Sequence, residues 1–187
     1  MNPFLSLFSL FDSLIDHVDV FAATGLILGF ISGAMPDRRS ILLGSAACSA
    51  CFGLHFLHLG ALTGAAMSAL SVAQSLAAAA FGGQERRPTW FMPFFAASAS
   101  LVLGLTAATW AGWPSACAGI GALFALRARL QRDERTMRLH FLGASLAWAG
   151  HNSLVASPFA LTCDCLTLTG LVIALARSGR PRALIAA

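Results

Sequence analysis

Lysine is missing from this chain, and charge of either sign is scarce: 11% of its 187 residues are charged. Soluble domains carry about a quarter. With 57% hydrophobic residues and a mean hydropathy of +0.75, too few polar side chains exist to cover a surface in water. A soluble globular domain is therefore excluded, and an integral membrane protein is expected. There is no glycine-rich phosphate loop, no metalloprotease motif and no nucleophile–base pair at short spacing, so an enzyme is not expected. The five cysteines fall at irregular spacing, mostly within apolar runs, and make no disulfide framework. The net charge of +4 comes from arginines that never interleave with aromatics on a polar face, so nucleic acid is not a partner.

What is present is apolar sequence in span-length runs. The chain has room for about seven spans of roughly 20 residues with short loops. It reads as a single membrane domain over residues 1–187. Residues 1–17 place Phe4, Leu7, Phe8, Phe11, Leu14 and Ile15 at helical spacing, interrupted by Asp12 and Asp16. With no basic start, this segment is not a signal peptide of the usual type and predicts an interfacial helix or a loose extension of the first span. The spans are expected at residues 18–35, 40–59, 61–81, 90–109, 114–126, 137–155 and 159–176. The fifth runs on through an arginine-rich segment to Arg138, and residues 177–187 form a basic tail. Trp90, Trp110 and Trp113 flank span four like an aromatic belt.

Arginine is segregated by loop. The one–two, three–four and five–six loops and the C-terminus hold all 12; the other loops hold none. The positive-inside rule then puts the N-terminus outside and the C-terminus in the cytoplasm. The run Arg127, Arg129, Arg132, Arg135 and Arg138 reads as topology fixing and anionic-lipid contact.

An offset of about 96 positions registers the two halves. Asp37 and Arg39 fall on Asp133 and Arg135, Ser49 on Ser145, Leu70 on Leu166, and His55 on His151. The expected architecture is all-α: seven transmembrane helices as two parallel three-helix repeats, about 18–81 and 114–176. A linker helix at about 90–109 joins them.

The segment Leu54-His55-Phe56-Leu57-His58-Leu59-Gly60, the His151-Asn152 pair after Trp148 and the spacing of the halves resemble the YgjV-type bacterial inner membrane proteins. The resemblance runs over all seven spans. It implies an inner-membrane location and a helix pattern similar to the SWEET and PQ-loop superfamily. It implies little chemistry. The chain departs from that superfamily in two places. Pro36 is followed by Asp37 where a Pro-Gln pair would stand, and Ser68 and Asp164 occupy the levels of the paired asparagines of SWEET sites. The second departure argues against a neutral-sugar site.

An ionisable group within a span is a functional-site candidate by default. Helical rise puts His151 about 6 Å and Asp164 about 9 Å below the same membrane face. They are expected to pair, in a pocket between the repeats. Asp164 would be charge partner or proton acceptor and His151 its titratable neighbour. His55 is the repeat counterpart of His151, with Asn152, Ser68 and Gln74 as hydrogen-bonding lining. This predicts a small-solute transporter or facilitator for a polar or cationic solute, without metal or cofactor. A homodimer suits so small a bundle. The blander alternative is a polar pair locking span six to span seven. A second alternative is a metal- or haem-binding membrane protein. Cys48, Cys51, His55 and His58 share one helix face but extend over about 15 Å, so at most two could ligate together. His55 and His151 are the candidate haem pair. A third is a structural or assembly membrane protein with no ligand.

Overall fold

Three aspartates open helices. Asp19 Oδ1 accepts the N–H groups of Phe21 and Ala22 at 2.8 and 3.2 Å; Asp37 Oδ1 accepts that of Ser40 at 2.9 Å; Asp133 Oδ2 accepts that of Thr136 at 2.7 Å. Each supplies an acceptor for amide groups that the first helical turn leaves unpaired. At Asp37 and Asp133 these bonds, with the Ser40 and Thr136 hydroxyls, hold the carboxyl below its usual value of 3.8. The computed structural model describes residues 19–35 and 37–178. The interfacial helix or extension of the first span expected over residues 1–17 and the tail beyond residue 178 lie outside the described residues.

Among those residues the chain is all-helical: α1 (Val20–Ala34), α2 (Arg38–His58), α3 (Leu62–Phe81), α4 (Phe91–Ala108), α5 (Trp113–Leu130), α6 (Glu134–Leu154) and α7 (Pro158–Ser178). Four stretches are long and apolar enough to cross a bilayer alone: Arg38–His58, Leu62–Phe81, Phe91–Ala108 and Pro158–Ala176. At 1.5 Å per residue such helices match a hydrocarbon core of about 30 Å. The apolar stretch of α1 is shorter, Val20–Ser32. Helices α5 and α6 carry their charges where they meet, Arg127 and Arg129 near the end of one and Glu134, Arg135 and Arg138 at the start of the other.

That junction corrects one expectation. The arginine-rich segment does not continue α5 to Arg138. The helix stops at Leu130, Gln131 turns to extended backbone, and Asp133 caps a new helix. The local cap outcompetes the helix propensity of the arginines. Arg38 and Arg39 likewise lie in the first turn of α2 rather than in a charged turn.

The principal neighbours close a ring: α1 on α2, α2 on α3, α3 on α5, α5 on α6, α6 on α7, and α7 back on α1. Helix α4 packs from outside, against α3 and α5. The α2–α3 turn needs Gly60 at φ +69°; the α6–α7 turn holds Ala156 at φ +54°, a backbone region that L side chains rarely adopt.

Apolar bulk faces outward. Trp113 is 77% exposed and Leu103 63%, along with many other large hydrophobic side chains. Such a surface would drive association in water and suits lipid. Serine, threonine, histidine and asparagine are buried among small residues, as helix packing in lipid favours. Arginines tie one end. Arg38 donates to the carbonyls of Ala78 and Arg129, both at 2.9 Å, and Arg87 to those of Gly82 and Leu130 at 2.8 and 3.0 Å. These are carbonyls at the C-terminal ends of α3 and α5, where a cation is favoured. The opposite end carries His55, His58 and His151.

Candidate functional site

A cavity of about 350 Å³ lies inside the ring and draws its lining from all six ring helices and none from α4. Its walls mix Phe52, Phe56 and Trp148 with a row of serines: Ser45, Ser49, Ser68, Ser71 and Ser145. The Phe56 and Trp148 rings stack nearly parallel at 6.0 Å.

Asp164, Asn152 and Ser68 all line this cavity, so three of the six residues singled out in the sequence come together. Asn152 Nδ2 donates to Asp164 Oδ2 at 2.6 Å. Asn152 Oδ1 is buried with no partner among the described residues, and Asp164 Oδ1 also accepts no hydrogen bond there.

His151 and Asp164 do not pair. His151 Nδ1 donates to the Pro114 carbonyl at 2.8 Å, which turns the ring toward α5. Its Nε2 is buried, unpartnered among the described residues, and packed over Gly64, where a Cβ would come within 2.6 Å of it. The ring stands edge-on to both Phe56 and Trp148. Beyond them His151 lines a second cavity of about 490 Å³, at the α2–α3 and α4–α5 turns, with Thr63, Thr109 and Ser115.

His55 lies in neither cavity lining. Its Nδ1 is 2.5 Å from Asp19 Oδ2, and its Nε2 is 2.8 Å from Ser157 Oγ. A carboxylate only accepts, so Nδ1–H donates to Asp19, while Nε2 shares a hydrogen bond with the Ser157 hydroxyl. The order of bonds is that of a nucleophile–base–acid relay. Ser157, however, is 1% exposed and also takes the Ala160 N–H at 3.4 Å. The chain of bonds is a strap that joins the starts of α1 and α7 to the end of α2. His58, 63% exposed, sits 3.7 Å from the same Asp19 carboxylate.

Gln74 does not line the cavity; it holds a residue that does. Its Oε1 accepts from Arg129 Nη1 at 3.0 Å, and Ser75 Oγ accepts from Arg129 Nε at 2.8 Å. Arg129 is 2% exposed, lines the cavity and lies 6.0 Å from the Phe141 ring. Sequence reasoning missed it inside the arginine run. A signal was there: Ala118, Ala122, Ala125 and Arg129 form one buried stripe on α5. Asp19 and Ser157 were missed as well, because the contacts that join them to His55 span 36 and 102 residues.

Cys48 and Cys163 meet beside Gly29 and line the cavity; Cys165 is exposed, so the two α7 cysteines face different ways. Among the described residues no group of three His, Cys, Asp or Glu side chains is placed to hold a metal ion.

A bundle that turns its large apolar side chains outward and keeps hydroxyls, amides and one guanidinium within is a helical membrane protein. The chain belongs to the Imp-YgjV family of bacterial inner membrane proteins, whose family model matches residues 16–182. No curated protein and no solved structure matches it.

Proposed function

We propose that this protein is a small-solute carrier or facilitator of the bacterial inner membrane, built from two parallel three-helix repeats around one largely apolar cavity with polar groups set in its wall. The cavity is the observation that carries the reading. A hollow of about 350 Å³ bordered by six helices, with Asp164, Asn152 and serines on its wall, suits a small polar solute better than helix packing alone. On this reading all seven helices span, the N-terminus lies outside and the C-terminus inside.

Equivalent positions in the two halves support the repeat. Gly25 packs under Phe52, and Gly121 under Trp148, each pair 96 positions from the other. The left-handed turn residues Gly60 and Ala156, and the cavity pairs Ser49 with Ser145 and Ser68 with Asp164, keep the same offset. Exchanging the halves turns the α1–α7 contact into the α5–α3 contact. In this arrangement α4 is the linker, consistent with its place outside the ring.

The solute class is tested by a thermal-shift screen of purified protein against sugars, amines, amino acids and nucleosides, with Asp164→Asn alongside. A ligand that binds only the folded protein raises its apparent stability by mass action. One class stabilising the wild type and not Asp164→Asn supports the site. No class stabilising a well-folded wild type overturns it. Orientation is tested by a C-terminal fluorescent-protein fusion, which should fluoresce in the cytoplasm. The homodimer is tested by the native mass of the detergent-solubilised protein.

A further inference from the structure

Among the described residues Arg129 is buried without a countercharge. Its hydrogen-bond and ring neighbours among the described residues are neutral: Ser75, Gln74 and the Phe141 ring. Among the described residues the ion pairs involve His55 or His58 with Asp19, and Arg138 with Glu134; none reaches Arg129. Nη2 makes no hydrogen bond there, and the side chain lines the cavity. A buried, uncompensated cation is strongly unfavourable unless something supplies the missing charge and acceptors. Two hydrogen bonds donated to α3 side chains also fix the guanidinium's direction, as a positioned binding group requires.

The same cavity holds the opposite charge at a distance. Among the described residues Asp164 Oδ1 has no hydrogen-bond partner, and no hydrogen bond or ion pair joins Asp164 to Arg129. Their levels can be read on α6. Phe141 lies beside the Arg129 guanidinium and Asn152 holds Asp164, a separation of about 16 Å of helical rise before side-chain reach is subtracted. Two unlike charged groups kept apart in one cavity define a ligand with two unlike ends.

We propose that the cavity takes an elongated zwitterion, its anionic group on Arg129 and its cationic group on Asp164. This rests on the carrier reading and names its substrate class. An α-amino acid, whose charges are on neighbouring groups, reaches one end only. An ω-amino acid reaches both.

The test uses the full chain in lipid nanodiscs and four probes of one length: 8-aminooctanoate, 8-hydroxyoctanoate, 8-aminooctan-1-ol and 1,8-octanediol. The wild type should bind 8-aminooctanoate about tenfold or more tighter than the three others, since hydrogen bonds to charged groups are the strong ones. Asp164→Asn should erase the advantage of 8-aminooctanoate over 8-hydroxyoctanoate, and Arg129→Gln its advantage over 8-aminooctan-1-ol. If Arg129→Gln does not fold, Asp164→Asn alone still decides the cationic end, and the wild-type preference for 8-hydroxyoctanoate over 1,8-octanediol decides the anionic end. Glycine should bind far more weakly than 8-aminooctanoate. Equal binding of all four probes, or glycine matching 8-aminooctanoate, overturns the proposal. Uptake into proteoliposomes separates the two readings. Selective binding without uptake sinks the carrier and keeps the site. Uptake of a neutral sugar with no response to the probes keeps the carrier and sinks the zwitterion.

Discussion

Replacing Asp19 with alanine removes two things at once. The first is the cap of α1, two hydrogen bonds from Phe21 and Ala22, worth about 1 kcal/mol. The second is the acceptor for His55, whose ring is 4% exposed and whose Nδ1–H then has no partner. An unsatisfied buried donor costs about 1–3 kcal/mol. Asp19→Ala should therefore destabilise the protein by about 2–4 kcal/mol. Asp19→Asn separates the parts: its one carbonyl oxygen still caps α1, and its amide nitrogen donates to His55 Nδ1 once the ring takes the other tautomer, with Nε2–H donating to Ser157 Oγ. It should lose less than half as much. The assay is reversible unfolding in mixed micelles with increasing denaturing detergent, followed by tryptophan fluorescence. A loss for Asp19→Ala below about 0.5 kcal/mol, the range of ordinary surface changes, would refute the strap. So would equal losses for alanine and asparagine.

Gly64→Ala puts a methyl group 2.6 Å from His151 Nε2 and 3.2 Å from the Phe56 ring. It should cost about 1–3 kcal/mol of overpacking in the same unfolding assay, and His151→Ala in the same chain should recover part of it. Phe56→Leu removes the stack on Trp148 and should shift the tryptophan emission, with a loss of about 0.5–1.5 kcal/mol. The caps Asp37 and Asp133 have folded pKa values below the usual 3.8, so their contribution is present above that pH and fades as pH falls through the lowered values. Unfolding midpoints followed downward from neutral pH should drop below about pH 3.8. The drop should be shallower in the double variant Asp37→Asn, Asp133→Asn.

Much of the bundle is legible from residues alone. Gly60 and the Ser157-Pro158 pair sit at turns because backbone chemistry is local, and the observed helix limits fall close to the expected spans. The α5–α6 junction was misread because arginine favours helix while a single aspartate cap can end one segment and start the next. Asp164, Asn152 and Ser68 were found because polar atoms in apolar runs stand out. Their partners were not. Depth along a helix is readable from rise, but azimuth is not. His151 therefore sits at the right level yet faces Pro114 instead of Asp164. Arg129 shows the same limit. Its charge suggested a lipid-facing role, and only the stripe of buried alanines on its own face indicates that it turns inward.

The central claim is that water and solute reach the cavity within the ring. It is tested most directly by thiol accessibility. A cysteine is placed at Ser68 in a chain whose five native cysteines are replaced. A membrane-impermeant methanethiosulfonate is then applied from either side of proteoliposomes. The account predicts modification of Ser68→Cys, slowed by the ligand class that the thermal-shift screen identifies. A Ser68→Cys thiol that stays unmodified from both faces, in protein that remains folded, would mean a dry packed interior and would contradict the carrier.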